Sequence, residues 1–159
     1  QKNKMKLTKN LSLKEVTKSN TASRNNIDNQ PNEKQLISLI SLAQEVFQPT
    51  RNYFNRPIFV SSGFRSKELN DKISNSSSTS QHCKAEAFDL DCDVFGGITN
   101  GELFDFIRAK IDFDQLIWEH GNTENPEWVH VSRKAKGNNR NQILKAQNIG
   151  GKTIYTSYQ

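Results

Sequence analysis

The sequence predicts an α+β domain, with N-terminal helices packed on a small antiparallel sheet. Three observations lead there: an apolar stripe at helical spacing in the first third, a capped helix near residue 100, and short β-rich runs crowding the second half. At 159 residues the chain has the size of one domain. With 33% hydrophobic residues and 25% charged, it can bury one modest core.

Residues 1–25 read as a polar, irregular arm that packs loosely, and residues 26–159 as the folded domain. Pro31 marks the approach to the first helix. From Asn32 to Phe54, Leu36, Ile40, Ala43 and Phe47 recur on one helical face, and Pro49 is placed to kink the helix or end its first part. Pro57 leads into IFVSS, a β-branched strand, followed by a short helix over 66–73. SNSSSTS, residues 74–80, has little side-chain bulk and reads as a mobile surface loop able to serve as a lid. A strand is expected over 85–92, with Ala85, Ala87 and Asp89 on one face. Thr99 and Glu102 form a capping box that opens a helix through Ile111. DQLIW, EWVHVS, NQILKA and TIYTSY complete the set as strands.

The formal charge of +5 suits an anionic partner without choosing one. Basic residues are scattered without aromatic interleaving, which argues against nucleic acid. No run is long enough for a membrane span, and the opening QKNKMKLTKN lacks the apolar stretch of a signal peptide.

The chemistry is concentrated in few residues. Only three histidines are present, and two of them, His82 and His130, stand with Asp89 in contexts that suit zinc. A catalytic zinc takes three protein ligands from imidazole and carboxylate and leaves one position open. Glu127 precedes His130 by three residues, so a turn or bulge before the strand would bring its carboxylate to the ion as the catalytic base. A regular strand would put the two on opposite faces. Glu119, in IWEH, is the rival base, and His120 beside it reads as exposed. Cys83 and Cys92 flank the ligands and can pair, stay as thiols or ligate through sulfur. Asp91 and Asp93 read as capping or solvated carboxylates, with an oxygen-rich cation site as the alternative. Trp118 and Trp128 read as core or groove-wall aromatics.

SGFRS, SQHCKAEAFDLD and EWVHVS, in that order and spacing, resemble the zinc D-Ala-D-Ala carboxypeptidase family of cell-wall peptidases. The similarity runs from about Asn26 to Ala146 and includes phage endolysin-like members with the same DQLIWE and WVHVS wording. It implies one catalytic Zn2+ held by His82, Asp89 and His130, and Glu127 as base. It also implies that Arg65 contacts substrate and polarises its carbonyl, with Ser80 as a secondary substrate contact. Ala85 stands where the family usually has glycine, and a Cβ there restricts the backbone.

The implied function is hydrolysis of peptidoglycan stem peptides, by a D,D-carboxypeptidase or an endopeptidase such as a phage lysin. The expected place of action is the bacterial cell wall or periplasm, with attachment to a larger phage or wall assembly as a further expectation. The alternative is a non-catalytic, zinc-containing binding or structural module, against which the complete set of ligands, base and arginine argues.

Overall fold

The computed structural model describes residues 4–73 and 77–159. Residues 74–76, within the segment expected to be a mobile lid, lie outside the described residues; residues 77–80 close a turn in which Ser80 N donates to Ser77 O at 3.2 Å.

The chain opens with β1 (Lys6–Thr8) and β2 (Leu11–Ser12), an antiparallel pair, then α1 (Leu13–Thr17) and α2 (Asn20–Arg24). Ser12 and Glu15 form a capping box at the start of α1. The expectation of a loosely packed arm is corrected here, since Leu7, Leu11, Leu13 and Val16 are all buried in the main hydrophobic cluster. Each such burial contributes about 1.5–3 kcal/mol, which works against the entropic cost of ordering these short elements. A buried asparagine ties the segment down: Asn29 Nδ2 donates to the carbonyls of Thr17 and Phe64, and its Oδ1 accepts from Ser66 N.

The first long helix is continuous but changes pitch. α3 (Glu33–Leu42), capped by Asn32 and Gln35, passes into a π turn over Ala43–Phe47 and resumes as α4 (Gln48–Phe54). The wide turn falls just before Pro49, whose ring lacks an N–H and crowds the preceding turn, so one loosened turn lets the helix pass rather than end. Asn55 then terminates it in a left-handed conformation, φ 50°.

β3 (Phe59–Ser62), α5 (Lys67–Lys72), β4 (Ala87–Asp91), α6 (Asn100–Lys110), β5 (Gln115–Glu119), β6 (Trp128–Ser132), β7 (Gln142–Ile149) and β8 (Lys152–Ser157) follow. The Thr99–Glu102 capping box opens α6 as expected. The sheet is larger than expected and mixed: six strands in the order β3-β4-β6-β5-β7-β8, all neighbours antiparallel except β5 and β7, which are parallel. The main cluster combines Leu39, Leu42, Val46 and Phe47 of the first long helix with Phe104 and Ile107 of α6 and Phe88, Leu90, Val129 and Val131 of the strands. Phe88 and Leu90 alternate with Asp89, so burying them turns Asp89 to the sheet's other face. No helix of the described residues is long and apolar enough to cross a membrane.

Candidate metal centre

Two central strands fix two of the three donors. β4 and β6 pair so that Asp89 faces His130, and β5 continues that row with Ile117. Directly paired residues share a face, so Asp89, His130 and Ile117 all point away from the main cluster. His82 comes from the turn before β4. Its donor atom and those of Asp89 and His130 lie within 4.8 Å of one another, the only such group of three among the described residues.

The protonation pattern suits a cation. His82 Nδ1 is 2.8 Å from the Gly63 carbonyl, which fixes its proton there and leaves Nε2 free, 3.4 Å from Asp89 Oδ2. His130 Nδ1 lies 2.9 Å from Asp89 Oδ1. Burial pushes the His82 pKa down, with Asp89 opposing, so the ring stays neutral and able to ligate. Burial alone would raise the Asp89 pKa, but His82 and His130 hold it well below the usual carboxylate range. Two imidazoles and one carboxylate form a donor set that fits zinc. The sulfur alternative gains no support: neither cysteine belongs to the donor group, and burial pushes Cys92 up to about 12.

Arg65 reaches the centre from the loop after β3. Its Nη2 lies 3.8 Å from Asp89 Oδ2, while Nε donates to Ser62 Oγ at 3.2 Å and Nη1 to Asn70 Oδ1 at 3.5 Å. Ser80 lines the groove, and its Oγ accepts from His82 N, so it shapes the turn that carries the first histidine.

Glu127 is not brought to this centre. It is exposed and absent from the groove wall. β6 begins at Trp128 in regular register with β5, without the bulge that would have swung Glu127 around. Its backbone is held on both sides, with its N–H donated to Glu119 O and its carbonyl accepting from Asn100 Nδ2. Glu119, the rival carboxylate, does line the groove. It pairs with Trp128 and sits two residues along β5 from Ile117, on the groove face, and it is buried. Burial raises its pKa to about 7, against the lowering effect of His130 and with Asp89 adding to the rise.

His120, expected to be exposed, also lines the groove. Its Nε2 is 3.9 Å from Glu119 Oε2 and its ring centroid 5.3 Å from that of Trp128. A left-handed backbone at this position, φ 57°, turns the side chain inward at the strand end. Trp118 is buried in the core, whereas Trp128 lines the groove. Asp91 and Asp93 act as local caps: Asp91 accepts from Asp93 N, and both accept from Asn100 Nδ2.

The groove has a volume of about 750 Å³, with the three donors, Arg65 and Glu119 in its wall. An imidazole and carboxylate cluster that could hold a metal, a guanidinium and a buried carboxylate with a raised pKa share this one groove. A sequence model of the peptidase M15 family matches residues 9–132. The chain belongs to that family, the zinc D-Ala-D-Ala carboxypeptidase-like peptidases. No curated protein matches the chain.

Proposed function

We propose that the protein is a zinc metallopeptidase that hydrolyses peptidoglycan stem peptides, with Glu119 rather than Glu127 as its general base. The observation that carries this reading is the placement of Glu119: buried, in the groove with the three donors, and with a pKa near neutrality. A base poised near the working pH has the best combination of free lone pair and proton affinity. His82 Nε2, Asp89 and His130 Nδ1 would hold the ion, which when bound supplies a Lewis acid for the scissile carbonyl and lowers the pKa of a water.

The remaining work falls to the chain's own groups. Glu119 Oε2 takes the proton from the attacking water and returns it to the leaving amine. Arg65, held by Ser62 and Asn70, presents its guanidinium beside Asp89, where it steadies charge on the carbonyl oxygen or a substrate carboxylate. Such a substrate puts the place of action at the bacterial cell wall, as a remodelling enzyme or a phage lysin.

Release of D-alanine or of new amino termini from purified peptidoglycan and defined stem peptides tests the reading. Zinc-loaded protein should cleave, chelated protein should not, and Glu119→Gln should lose at least a hundredfold in rate while keeping its zinc. Glu127→Gln should stay within about twofold of wild type. A large loss in Glu127→Gln with an active Glu119→Gln would return the base to Glu127. No cleavage by zinc-loaded protein would favour a non-catalytic module.

A further inference from the structure

The family match ends at residue 132, yet the groove does not. The hairpin of β7 and β8, Gln142–Ile149 and Lys152–Ser157, adds Leu144, Thr153 and Tyr155 to its wall. Register explains how. Glu119 pairs with Ala146 and Ala146 with Tyr155, so the three form one row on the groove face. Neighbouring strands lie about 4.8 Å apart, which puts the Tyr155 backbone roughly 10 Å from that of Glu119.

Ala146 is fully buried and is not part of the groove wall, so on this row the wall is made by Glu119 and Tyr155. On the other side of Glu119 the same row continues to Trp128, which is paired with it across β5 and β6. The proposed base therefore lies on a floor between an indole wall and a phenol wall. Tyr155 keeps 54% of its surface exposed, although it stands on the concave face. Burial and the negative charges of Glu119 and Asp89 push its pKa up, so the hydroxyl keeps its proton and can donate.

We propose that the C-terminal hairpin is the substrate-recognition wall of the peptidase and that Tyr155 is its substrate-contacting residue. The ring packs on the peptide and the hydroxyl donates to one of its backbone carbonyls. This rests on the peptidase reading above. A peptide lying along the floor runs between Trp128 and Tyr155, two side chains that give large contact area at small entropic cost.

The test uses the full chain loaded with zinc. KM and kcat are measured on a stem peptide that the wild type cleaves, and affinity for the same peptide is measured by calorimetry in the Glu119→Gln background. Tyr155→Ala should raise KM and weaken peptide binding about tenfold or more, with zinc affinity unchanged. Tyr155→Phe should lose about two- to tenfold, the share of one hydrogen bond. Ile154→Ala, on the opposite face of β8, should match the wild type. Wild-type KM and peptide affinity in Tyr155→Ala would overturn the assignment and leave the peptidase reading intact. If the wild type cleaves no stem peptide and Glu119→Gln binds none, both readings fall.

Discussion

Gly63 and His82, nineteen residues apart, are joined by a 2.8 Å hydrogen bond between the glycine carbonyl and the imidazole Nδ1. That bond sets which histidine nitrogen is free for a metal, and Gly63 can make it only because it has no side chain. A Cβ there would run into the carbonyl oxygen of Val16, which accepts from Phe64 N at 2.7 Å. Gly63→Ala must therefore push α1 or the Gly63 peptide aside. Zinc affinity should fall about tenfold or more, the usual effect of disturbing a ligand's outer partner, together with a lower melting temperature. Titration against a chromophoric chelator and a thermal melt check both. Unchanged zinc affinity would show that the carbonyl does not orient His82.

Glu119 makes the metal-free protein's stability depend on pH in a definite direction. Its pKa rises from 4.5 to about 7 on folding, so between these values the native state holds a proton that the unfolded chain has lost. The contribution is fully present below pH 4.5 and is lost as pH rises through 7. His82, whose pKa burial holds below 6.5, acts in the opposite sense over part of that window. The readout is therefore the difference between two proteins. Metal-free Glu119→Gln should gain stability relative to wild type from pH 4.5 to 7, by on the order of 3 kcal/mol at most. Denaturant melts across this range check it, and a constant difference would refute the assignment.

Asp114 anchors the other end of the groove. Its side chain is fully buried; Oδ2 accepts from Arg140 Nη2 at 2.6 Å and from Gln81 Nε2 at 3.1 Å, and Oδ1 accepts from Arg140 N at 2.9 Å. Burial would raise its pKa, but the Arg140 hydrogen bonds and charge hold it at about 2. Its contribution is present above the unfolded value of 3.8 and is lost as pH falls through 2. Asp114→Ala should cost about 2 kcal/mol at neutral pH, since Arg140 can recover some solvation at the surface. It should also flatten the acid limb between pH 4 and 2, readable by circular dichroism.

Ala85 is held in the left-handed region, φ 59°, and is fully buried. Its carbonyl accepts from Ser38 Oγ at 3.0 Å, which ties the turn behind His82 to α3. For a residue with a Cβ that conformation costs about 1 kcal/mol or more, so the turn carries strain that glycine would not. Ala85→Gly should raise stability by about 0.5 kcal/mol after the lost methyl contact and the looser unfolded chain are counted. A lower melting temperature would show that the methyl's packing outweighs the strain.

Where local signals were strong, the sequence was enough. The Thr99–Glu102 box, the stripe from Leu36 to Phe47 and the β-branched runs each reflect a preference confined to a few residues. The donors His82, Asp89 and His130 were legible because their order and spacing carry a known resemblance. Glu127 lies away from the donors for a physical reason: its spacing from His130 would bring it there only where the strand is irregular, and β6 is regular from its first residue. Glu119 becomes visible only through register between β5 and β6. Leu7, Leu11, Leu13 and Val16 lie in elements too short to show a period, so their burial depended on long-range contacts. The parallel match of β5 with β7 is equally non-local.

The pairing of Asp89 with His130 has a kinetic consequence. The two donors are 41 residues apart and become neighbours only when β4 and β6 are in register. Closing so long a loop is slow, and its entropic cost comes before the contact returns anything. A metal held by these donors would sit in a cleft built by strand pairing, so chelation is expected to remove the ion while leaving a folded chain.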